Sequence, residues 1–431
     1  MRISFSFSTI KLVKMAGQFK PKRPKLAPNA EKSYFESYAD ITVHEEMLGD
    51  DIRTNIYKKA LLNSKNAIKD KVVLDVGAGT GILSCFCVQA GAKKVYAVEA
   101  SSIAEQAKKV IMANGLQDQI DVIQGVMEDI TLPEKVDVIV SEWMGYCLLY
   151  ESMLTSVISA RDKWLKEGGL LFPDSAMLYI APICDDEIMV DKVNFWNDME
   201  EVYGVDMSCL LPFARRSLSK EVMVKCISCE NVLSHPQLLA HFDLNKVSHH
   251  DIQAVHHKFQ FSSFGIADFQ GFAVWFDVAF SASNSAKMNP IRPGILNGMS
   301  QQINDQPPTP QGTVCKHDVS DASKLTNEEP KDLTMEKVRS EAYTEDISSQ
   351  ALILSTSPYK PETHWKQSLL YLDSEIEVAQ DSTIAGTITL KPCLNNYRFL
   401  SISLKCEVDK KKEIAKTYLM GYELPNKNKE E

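Results

Sequence analysis

The stretch Asp75-Val-Gly77-Ala-Gly79-Thr-Gly81 follows an apolar run and precedes a helical pattern at Ile82–Ala90. Glycine lets the backbone turn sharply and approach a ligand without a Cβ in the way. Glu99 ends the next apolar run, where a carboxylate can accept both hydroxyl hydrogens of a ribose. The spacing is G-x-G-x-G, not the G-x-G-x-x-G of dehydrogenases, and Asp75 suits the amino group of a methionine moiety. The stretch therefore predicts a nucleoside-cofactor site, with a structural turn as the alternative.

Short apolar runs alternate with helical patterns between residues 71 and 173. The runs, dense in Val, Ile and Leu, are predicted strands at Lys71–Gly77, Lys94–Ala100, Ile120–Gly125, Val136–Glu142 and Gly169–Pro173. Helical patterns separate them at Ile82–Ala90, Ser102–Asn114 and Met153–Lys166. This alternation predicts an α/β fold, a parallel sheet with helices on both faces.

The pattern changes at about residue 175, where strand-like segments dominate and predict a second, mostly antiparallel β domain. These segments are Ala176–Pro182, Phe259–Ser263, Gly271–Phe280, Gln367–Tyr371, Thr383–Leu390 and Phe399–Val408. An amphipathic stretch at Asp185–Tyr203 is predicted to be a helical excursion from this domain. Residues 284–349 hold too little apolar surface to offset chain entropy, so they are predicted to be a disordered insertion.

Composition sets limits on the class of protein. The 431 residues carry a net charge of −10, which disfavours direct nucleic-acid binding and favours basic partners. No apolar run approaches the roughly 20 residues that cross a bilayer, so no membrane association is expected. Residues 1–32 form a basic, predicted disordered tail, in which Lys20–Lys25 is a cluster of the nuclear-import kind. A mitochondrial presequence and a start at Met15 are the alternatives.

A second informative segment is Ser141-Glu142-Trp-Met-Gly-Tyr-Cys-Leu-Leu-Tyr-Glu151-Ser-Met153, at the C-terminal end of a predicted parallel strand. Open α/β sheets hold their ligands at that end. Two carboxylates buried alone in an apolar loop would repel each other, and one would take up a proton. A guanidinium resolves this conflict, because its planar donor fork matches carboxylates. The segment predicts an arginine-binding site, whereas the alternative is a surface loop with Glu151 capping a helix.

The segment resembles the double-glutamate loop of the protein arginine N-methyltransferases. Three further motifs resemble those of the same family: Tyr34-Phe-Glu-Ser-Tyr38, Val43-His44-Glu-Glu-Met47 followed by Arg53-Thr54, and Thr363-His364-Trp365. The similarity covers about residues 33–283 and 350–405. Segments 203–209, 355–358 and 363–367 look most like member six of the type I branch.

This resemblance implies a class I S-adenosylmethionine-dependent methyltransferase domain with a Rossmann-like parallel sheet at 33–174. An antiparallel β-barrel substrate domain would follow at 175–431, with a helical dimerisation arm at about 185–216. The cofactor would be S-adenosylmethionine, with Arg53 on its carboxylate, Asp75 and Gly77 at its methionine end, and Glu99 on its ribose. The implied cofactor-binding residues are Tyr34, His44, Met47, Arg53, Asp75, Gly77, Gly79, Glu99, Met127 and Glu128. Taken alone, His44 would be interpreted as a satisfied structural histidine.

The resemblance also implies roles in catalysis. Glu142 and Glu151 would clamp the guanidinium, and His364 paired with Asp50 would help to accept the proton lost on methylation. Tyr38, Met153 and Trp365 would bind substrate. The sequence predicts no metal site, since Cys226 and Cys229 lack a second ligand pair.

In the family that the sequence resembles, residues of moderate size at the positions of Met47 and Met153 leave room for a second methyl group. The resemblance therefore implies type I chemistry, which forms monomethylarginine and asymmetric dimethylarginine. Expected partners are arginine-containing proteins, such as histone tails and arginine-glycine-rich proteins, and a second copy of the chain in a homodimer. The expected location is the nucleus, with the cytoplasm as a further place. Two other functions stay open: a methyltransferase acting on a small molecule or nucleic acid, and a catalytically silent binding scaffold.

Overall fold

The structure is a computed structural model that describes residues 28–281 and 351–421. The predicted insertion at 284–349 lies outside the described residues, as does the basic cluster Lys20–Lys25. Helix α1 begins at Pro28, inside the stretch that was predicted to be a disordered tail. In the described part of the chain, no helix is long and apolar enough to span a membrane.

The helices and strands are numbered in chain order. The helices are α1 Pro28–Ser37, α2 Ile41–Gly49, α3 Asp51–Asn63, α4 Lys65–Ile68, α5 Ile82–Gln89, α6 Ala104–Ala113, α7 Leu154–Trp164, α8 Asp186–Ile188, α9 Met199–Tyr203 and α10 Leu211–Leu218. The strands are β1 Val72–Val76, β2 Lys94–Glu99, β3 Ile120–Gln124, β4 Val136–Val140, β5 Leu165–Phe172, β6 Ser175–Ile183, β7 Met223–Lys225, β8 Gln237–Asp243, β9 Val255–Ser262, β10 Ala267–Phe280, β11 Leu352–Ser355, β12 Gln367–Val378, β13 Thr383–Pro392, β14 Leu400–Val408 and β15 Lys412–Met420.

A parallel sheet in the order β3-β2-β1-β4-β5 forms the first half of the fold, as predicted. All five residues of β1 are buried, which explains its continuous apolar run. The strand order reverses between β1 and β4, where Asp75 pairs in register with Val140. Both the glycine loop after β1 and the loop that starts at Glu142 therefore leave the sheet at this switch point, where such folds bind ligands.

The second half is antiparallel β structure, which confirms the predicted fold class. One sheet has the order β7-β12-β10-β6-β8 with β11 also on β10, and a second has the order β15-β14-β13-β9. Phe259, Phe261, Phe269 and Phe272 pack between them with ring centroids 5.1–6.2 Å apart. Alternating burial along β14 places one face of that strand on this core.

The helical excursion is broken rather than continuous. After α8 the chain makes a π-helical turn at Met189–Val193 and a 3₁₀ turn at Asn194–Trp196 before α9. Ile188 and Val193 are both buried, and a separation of five residues fits a π turn better than an α-helix. Six large apolar side chains stay exposed on the excursion and on the residues that follow it up to residue 216: Val190, Phe195, Val202, Tyr203, Val205 and Phe213.

Candidate active site

The glycine loop adopts a backbone that needs glycine. Gly77, Gly79 and Gly81 all have positive φ, at 75°, 55° and 86°. A Cβ at Gly77 would lie 2.3 Å from the methyl carbon of Met153, so the absence of a side chain lets Met153 pack over the loop. The loop therefore brings residues of two different segments into contact at one wall of a cavity.

Glu99 is held in place by backbone amides. Gly79 donates its N–H to Glu99 Oε2 at 2.9 Å, and Ser101 donates its N–H to Glu99 Oε1 at 2.7 Å. Charge-assisted bonds of this kind fix the orientation of the carboxylate. Glu99 still lines the cavity, so its remaining lone pairs can accept hydroxyl hydrogens of a ribose.

A cavity of about 290 Å³ opens at the switch point of the parallel sheet. All the predicted site residues line it except Asp50 and Asp75. The ribose side is marked by Glu99, with Met127 and Glu128 on the loop after β3. Glu142 and Glu151 line the same cavity. One cavity therefore joins a nucleoside-binding side to a doubly acidic side.

Arg53 and Glu142 form a buried ion pair in this cavity. The Arg53 guanidinium donates from Nε at 3.2 Å and from Nη2 at 3.1 Å to Glu142 Oε2. Its Nη1 donates to the carbonyl oxygen of Met47 at 3.2 Å. Arg53 also lines the cavity, so the same cation can meet the carboxylate of a bound ligand.

The carboxylate of Glu151 accepts hydrogen bonds from two tyrosines. Tyr34 and Tyr38 donate their hydroxyls to Glu151 Oε2 at 3.0 and 2.5 Å. Burial raises the pKa of Glu151, the two tyrosine hydrogen bonds oppose this rise, and the nearby Glu142 adds to it. Glu151 has a positive φ of 72°, which is uncommon for a residue with a side chain.

These contacts correct part of the argument made from the sequence. The loop was predicted to need an external cation between its acids. Instead, Arg53 compensates Glu142 within the chain, and tyrosine hydroxyls satisfy Glu151. Both carboxylates nevertheless line the cavity. A guanidinium that enters therefore meets two acids that are already oriented.

Gly145 makes the sharp bend in the double-glutamate loop possible. A Cβ at this position would lie 2.1 Å from the carbonyl oxygen of Tyr150, which is far closer than atoms can approach. The Gly145 N–H donates to the carbonyl of Leu148 at 3.2 Å, which closes the bend. The two glutamates at its ends consequently face the same cavity.

Asp50 and His364 are paired, as predicted. His364 Nδ1 lies 2.7 Å from Asp50 Oδ2, and the backbone N–H of His364 donates to the same oxygen at 2.9 Å. The other oxygen of Asp50 accepts the backbone N–H of Arg53 and caps α3. The pKa of Asp50 is lowered: burial works against this, but the hydrogen bonds from His364 and Arg53 outweigh it.

Asp75 and Trp365 make structural contacts that the sequence did not predict. Asp75 is fully buried, accepts the hydroxyl of Ser84 at 2.6 Å and does not line the cavity, and its contact with the cofactor stays a prediction. Trp365 lines the cavity, but it is buried and donates its N–H to the carbonyl of Met144 at 2.7 Å. Trp365 therefore anchors the double-glutamate loop. His44 is buried with its Nε2 2.9 Å from the carbonyl oxygen of Tyr38.

Arg398 is the residue at this site that sequence reasoning missed. Its guanidinium carbon lies 3.7 Å from the centre of the Tyr34 ring, and its Nη1 donates to the carbonyl of Glu151 at 2.9 Å. No short motif marks this position. Only its place before β14, next to an asparagine pair typical of a turn, could have drawn attention to it.

The fold and this site define a class of protein, the S-adenosylmethionine-dependent methyltransferases of the Rossmann-like kind. A family model described as a methyltransferase domain matches residues 73–169. A second model, described as an arginine methyltransferase oligomerization subdomain, matches residues 174–293 and 342–411.

Curated relatives and solved structures agree with these matches. Protein arginine N-methyltransferase 6 of Danio rerio is 42% identical, over 93% of this chain and 97% of its own length. Probable protein arginine N-methyltransferase 6 of Arabidopsis thaliana is 44% identical, over 86% of this chain and 78% of its own. The Trypanosoma brucei PRMT1 enzyme-prozyme heterotetrameric complex with AdoHcy superimposes with a TM-score of 0.68 at 30% identity, over 89% of this chain and 100% of that one.

The chain belongs to the protein arginine N-methyltransferase family. It is thus an enzyme that moves methyl groups from S-adenosylmethionine to arginine in proteins, as the sequence predicted. The predicted resemblance to member six is confirmed by the Danio rerio and Arabidopsis thaliana relatives. The oligomerization subdomain supports the predicted oligomerisation.

The donor set of the cavity fits the methyl donor. Glu99 presents a fixed carboxylate for ribose hydroxyls, and Arg53 presents a buried cation for a carboxylate. Met127 is a buried apolar side chain that can pack on a flat base. The ribose, the carboxylate and the adenine of S-adenosylmethionine therefore each have a complementary group in the wall.

Proposed function

We propose that this enzyme forms asymmetric dimethylarginine, with Glu142 and Glu151 holding the substrate guanidinium. The observation that carries the proposal is the placement of both carboxylates at the two ends of one loop, in the cavity that Glu99 also lines. The role of the acid pair would be to localise positive charge on the nitrogens they contact. Electron density would then stay on the nitrogen that attacks.

On the cofactor side, Arg53 would hold the methionine carboxylate and Glu99 the ribose, while Met127 and Glu128 would hold the adenine. When bound, S-adenosylmethionine supplies a methyl group activated by its sulfonium sulfur. The chain's own task is orientation, because a guanidinium keeps its proton at any physiological pH and is therefore a poor nucleophile. Well-aligned reactants gain roughly 7–11 kcal/mol over a bimolecular encounter.

His364 would accept the proton that the guanidinium loses. Asp50 fixes its ring by a 2.7 Å contact at Nδ1, which leaves Nε2 as the nitrogen free to take a proton. Asp50 stays ionised because its pKa is lowered by these hydrogen bonds in spite of burial. The resulting charge pair would stabilise a protonated His364 after transfer.

The product type rests on the size of two side chains in the cavity wall. Met47 and Met153 are unbranched and flexible, so they leave room for a nitrogen that already carries one methyl group. Tyr34 and Tyr38 close the same region, and both are tied to Glu151. This arrangement supports two successive transfers to one nitrogen.

Substrates, assembly and location complete the proposal. Arginine-rich segments of histone tails and arginine-glycine-rich proteins suit an enzyme with a net charge of −10. The exposed apolar side chains of the helical excursion, the predicted dimerisation arm, support a homodimer. The basic cluster Lys20–Lys25 supports residence in the nucleus, with the cytoplasm as a second place.

The test uses an arginine-glycine-rich peptide, a histone-tail peptide and copies of both with lysine in place of arginine. We expect transfer only to the arginine peptides, and hydrolysis of the products should give monomethylarginine and asymmetric dimethylarginine. Symmetric dimethylarginine as the only dimethylated product would contradict the product type. Equal transfer to the lysine copies would contradict the guanidinium clamp.

A further inference from the structure

The turn at residues 393–399, here called the 393–399 turn, connects β13 and β14 and reaches from the β domain to the active site. Asn396 shapes it, since its side chain accepts the Arg398 N–H at 3.1 Å and its carbonyl accepts the Phe399 N–H at 3.0 Å. Cys393 donates its N–H to the carbonyl of Phe399 at 2.9 Å and closes the turn. Tyr397 and Arg398 are thereby presented toward the double-glutamate loop.

Arg398 holds the backbone of Glu151 from both sides. The N–H of Glu151 donates to the Arg398 carbonyl at 2.7 Å, and Arg398 Nη1 donates to the Glu151 carbonyl at 2.9 Å. Next to it, the hydroxyl of Ser152 donates to the Tyr397 carbonyl at 2.6 Å. Glu151 has a φ of 72°, a strained conformation for a non-glycine residue. These hydrogen bonds stabilise that conformation, and the conformation sets the direction of the carboxylate.

The same guanidinium docks α1. Its central carbon lies 3.7 Å from the centre of the Tyr34 ring and 5.2 Å from that of Phe35, both on α1. Arg398 Nη2 lies 3.6 Å from Glu31 Oε1, and the Tyr397 hydroxyl donates to that oxygen at 3.3 Å. Between Glu31 and Ser37, the side chains of α1 are half-buried or exposed, so α1 has little apolar core of its own. Stacking on a desolvated cation is a substantial part of its attachment.

We propose that Arg398 is a positioning residue that couples the docking of α1 over the cavity to the orientation of Glu151. This inference rests on the proposed role of Glu151 in holding the substrate guanidinium. One planar cation contacts the Glu151 peptide and the Tyr34 ring, and the Tyr34 hydroxyl returns to the Glu151 carboxylate at 3.0 Å. Arg398, Tyr34 and Glu151 thus each contact the other two, so that α1 and Glu151 reach their active positions together.

Because Arg398 is charged, its coupling to Glu151 should affect the pH dependence of activity, which a residue that only packs would not do. The charged or titratable groups that interact with Glu151 include Tyr34, Tyr38, Tyr146, Glu142 and Arg398. Arg398 is a nearby cation, which favours the ionised carboxylate. Loss of this charge should therefore move the acid limb of the activity profile to higher pH.

The experiment compares Arg398→Met and Arg398→Lys in the full-length enzyme. Arg398→Met should lower kcat about a hundredfold, as small misplacements of reacting groups do. It should also weaken S-adenosylhomocysteine binding and shift the acid limb upward. Arg398→Lys keeps the charge but loses the planar stack, so it should restore the acid limb while kcat stays below the wild-type value.

Arg161→Met is the matched control, because Arg161 also makes two carbonyl contacts between segments, at 2.6 and 2.8 Å, but lies outside the active site. Its kcat and acid limb should match those of the wild type. Folded Arg398→Met with wild-type kcat and acid limb would overturn the coupling, as would equal losses in Arg161→Met. The Glu151→Gln variant distinguishes a failure of the proposed guanidinium clamp from a failure of the proposed coupling. Retained turnover in that variant would contradict the clamp itself, whereas lost turnover beside a wild-type-like Arg398→Met would contradict the coupling alone.

Discussion

Arg53 and Glu142 form a buried ion pair, with Nη2 3.1 Å from Oε2 and both side chains less than a tenth exposed. Arg53 also faces the proposed position of the cofactor carboxylate, and Glu142 faces the proposed position of the substrate guanidinium. The pair therefore ties the cofactor side of the cavity to the substrate side. Removing one partner would leave a buried charge uncompensated, which typically costs about 3–5 kcal/mol.

Replacing Arg53 by lysine should affect both sides of the cavity. Lysine keeps the charge but cannot reproduce the donor fork that Arg53 directs at Glu142. We expect S-adenosylhomocysteine affinity and kcat each to fall by roughly tenfold or more, the loss of about 1.4 kcal/mol. Calorimetry and initial rates would measure the two effects. Unchanged binding together with unchanged kcat would show that the fork is not needed.

Glu142→Gln should affect the substrate side of the cavity much more than the cofactor side. Glutamine can still accept a hydrogen bond from Arg53 but carries no charge for the substrate guanidinium. We expect kcat to fall by about 10²–10³, as when a preorganised transition-state contact is removed, while S-adenosylhomocysteine binding changes only a few-fold. Glu134→Gln is the control, since Glu134 lies outside the cavity and bonds to Tyr96. Near-normal turnover in Glu142→Gln would argue against the clamp.

The pH dependence of kcat/KM should reflect the ionisation of the Glu151 carboxylate. Burial raises its pKa, and the hydrogen bonds from Tyr38 and Tyr34 hold that rise in check. Since the clamp needs the ionised form, kcat/KM should fall as the pH drops through a value above the ordinary glutamate range. Tyr38→Phe removes a bond to the ionised form, so its acid limb should move further up. An acid limb that stays in place or moves down in Tyr38→Phe would exclude Glu151 as the titrating group.

Gly145→Ala should damage the double-glutamate loop. The new Cβ would lie 2.1 Å from the carbonyl oxygen of Tyr150, a backbone atom that cannot yield without moving the loop. We expect a loss of about 1–3 kcal/mol in unfolding free energy and a large loss of kcat. Gly265→Ala is the control, because nothing lies within 4 Å of a Cβ there. Denaturant unfolding would give the unfolding free energy of both variants, and initial rates would give their kcat. Equal values for Gly145→Ala and Gly265→Ala would show that the bend tolerates a side chain.

Asp75 should make stability depend on pH. Burial raises the pKa of Asp75 to about 7, whereas an unfolded aspartate titrates at about 3.9. The folded state therefore holds a proton that the unfolded chain releases, and stability falls as pH rises from about 4 through 7, by at most about 1.4 kcal/mol per unit. Asp75→Asn should flatten this slope and leave S-adenosylhomocysteine binding within a few-fold. A strong loss of S-adenosylhomocysteine binding would instead support the direct contact between Asp75 and the cofactor that the sequence predicted.

The sequence predicted those features that local patterns determine. The apolar run of β1, the glycine loop and Glu99 at the end of β2 follow from periodicity and from one motif, and the structure has all three. The double-glutamate loop was also recognised, because its acids stand in an apolar stretch at the end of β4. Such features depend on neighbours close in the chain.

Most pairings between distant segments were not predicted; the Asp50–His364 pair, 314 positions apart, followed only from the family resemblance. Arg53 meets Glu142 across 89 positions, Tyr34 meets Glu151 across 117, and Arg398 meets Glu151 across 247. Nothing in the local sequence specifies such partners. The broken helices after Asp185 were missed for a related reason, since the packing of Ile188 and Val193 against the β domain overrides local helical periodicity.

A structure of the enzyme with S-adenosylhomocysteine and an arginine peptide tests the central claim most directly. We predict that the substrate guanidinium lies within hydrogen-bond distance of both Glu142 and Glu151, about 3 Å from an oxygen of each, with Arg53 on the cofactor carboxylate. A peptide arginine bound elsewhere, with Glu142 still engaged only by Arg53 and Glu151 only by its tyrosines, would contradict the account.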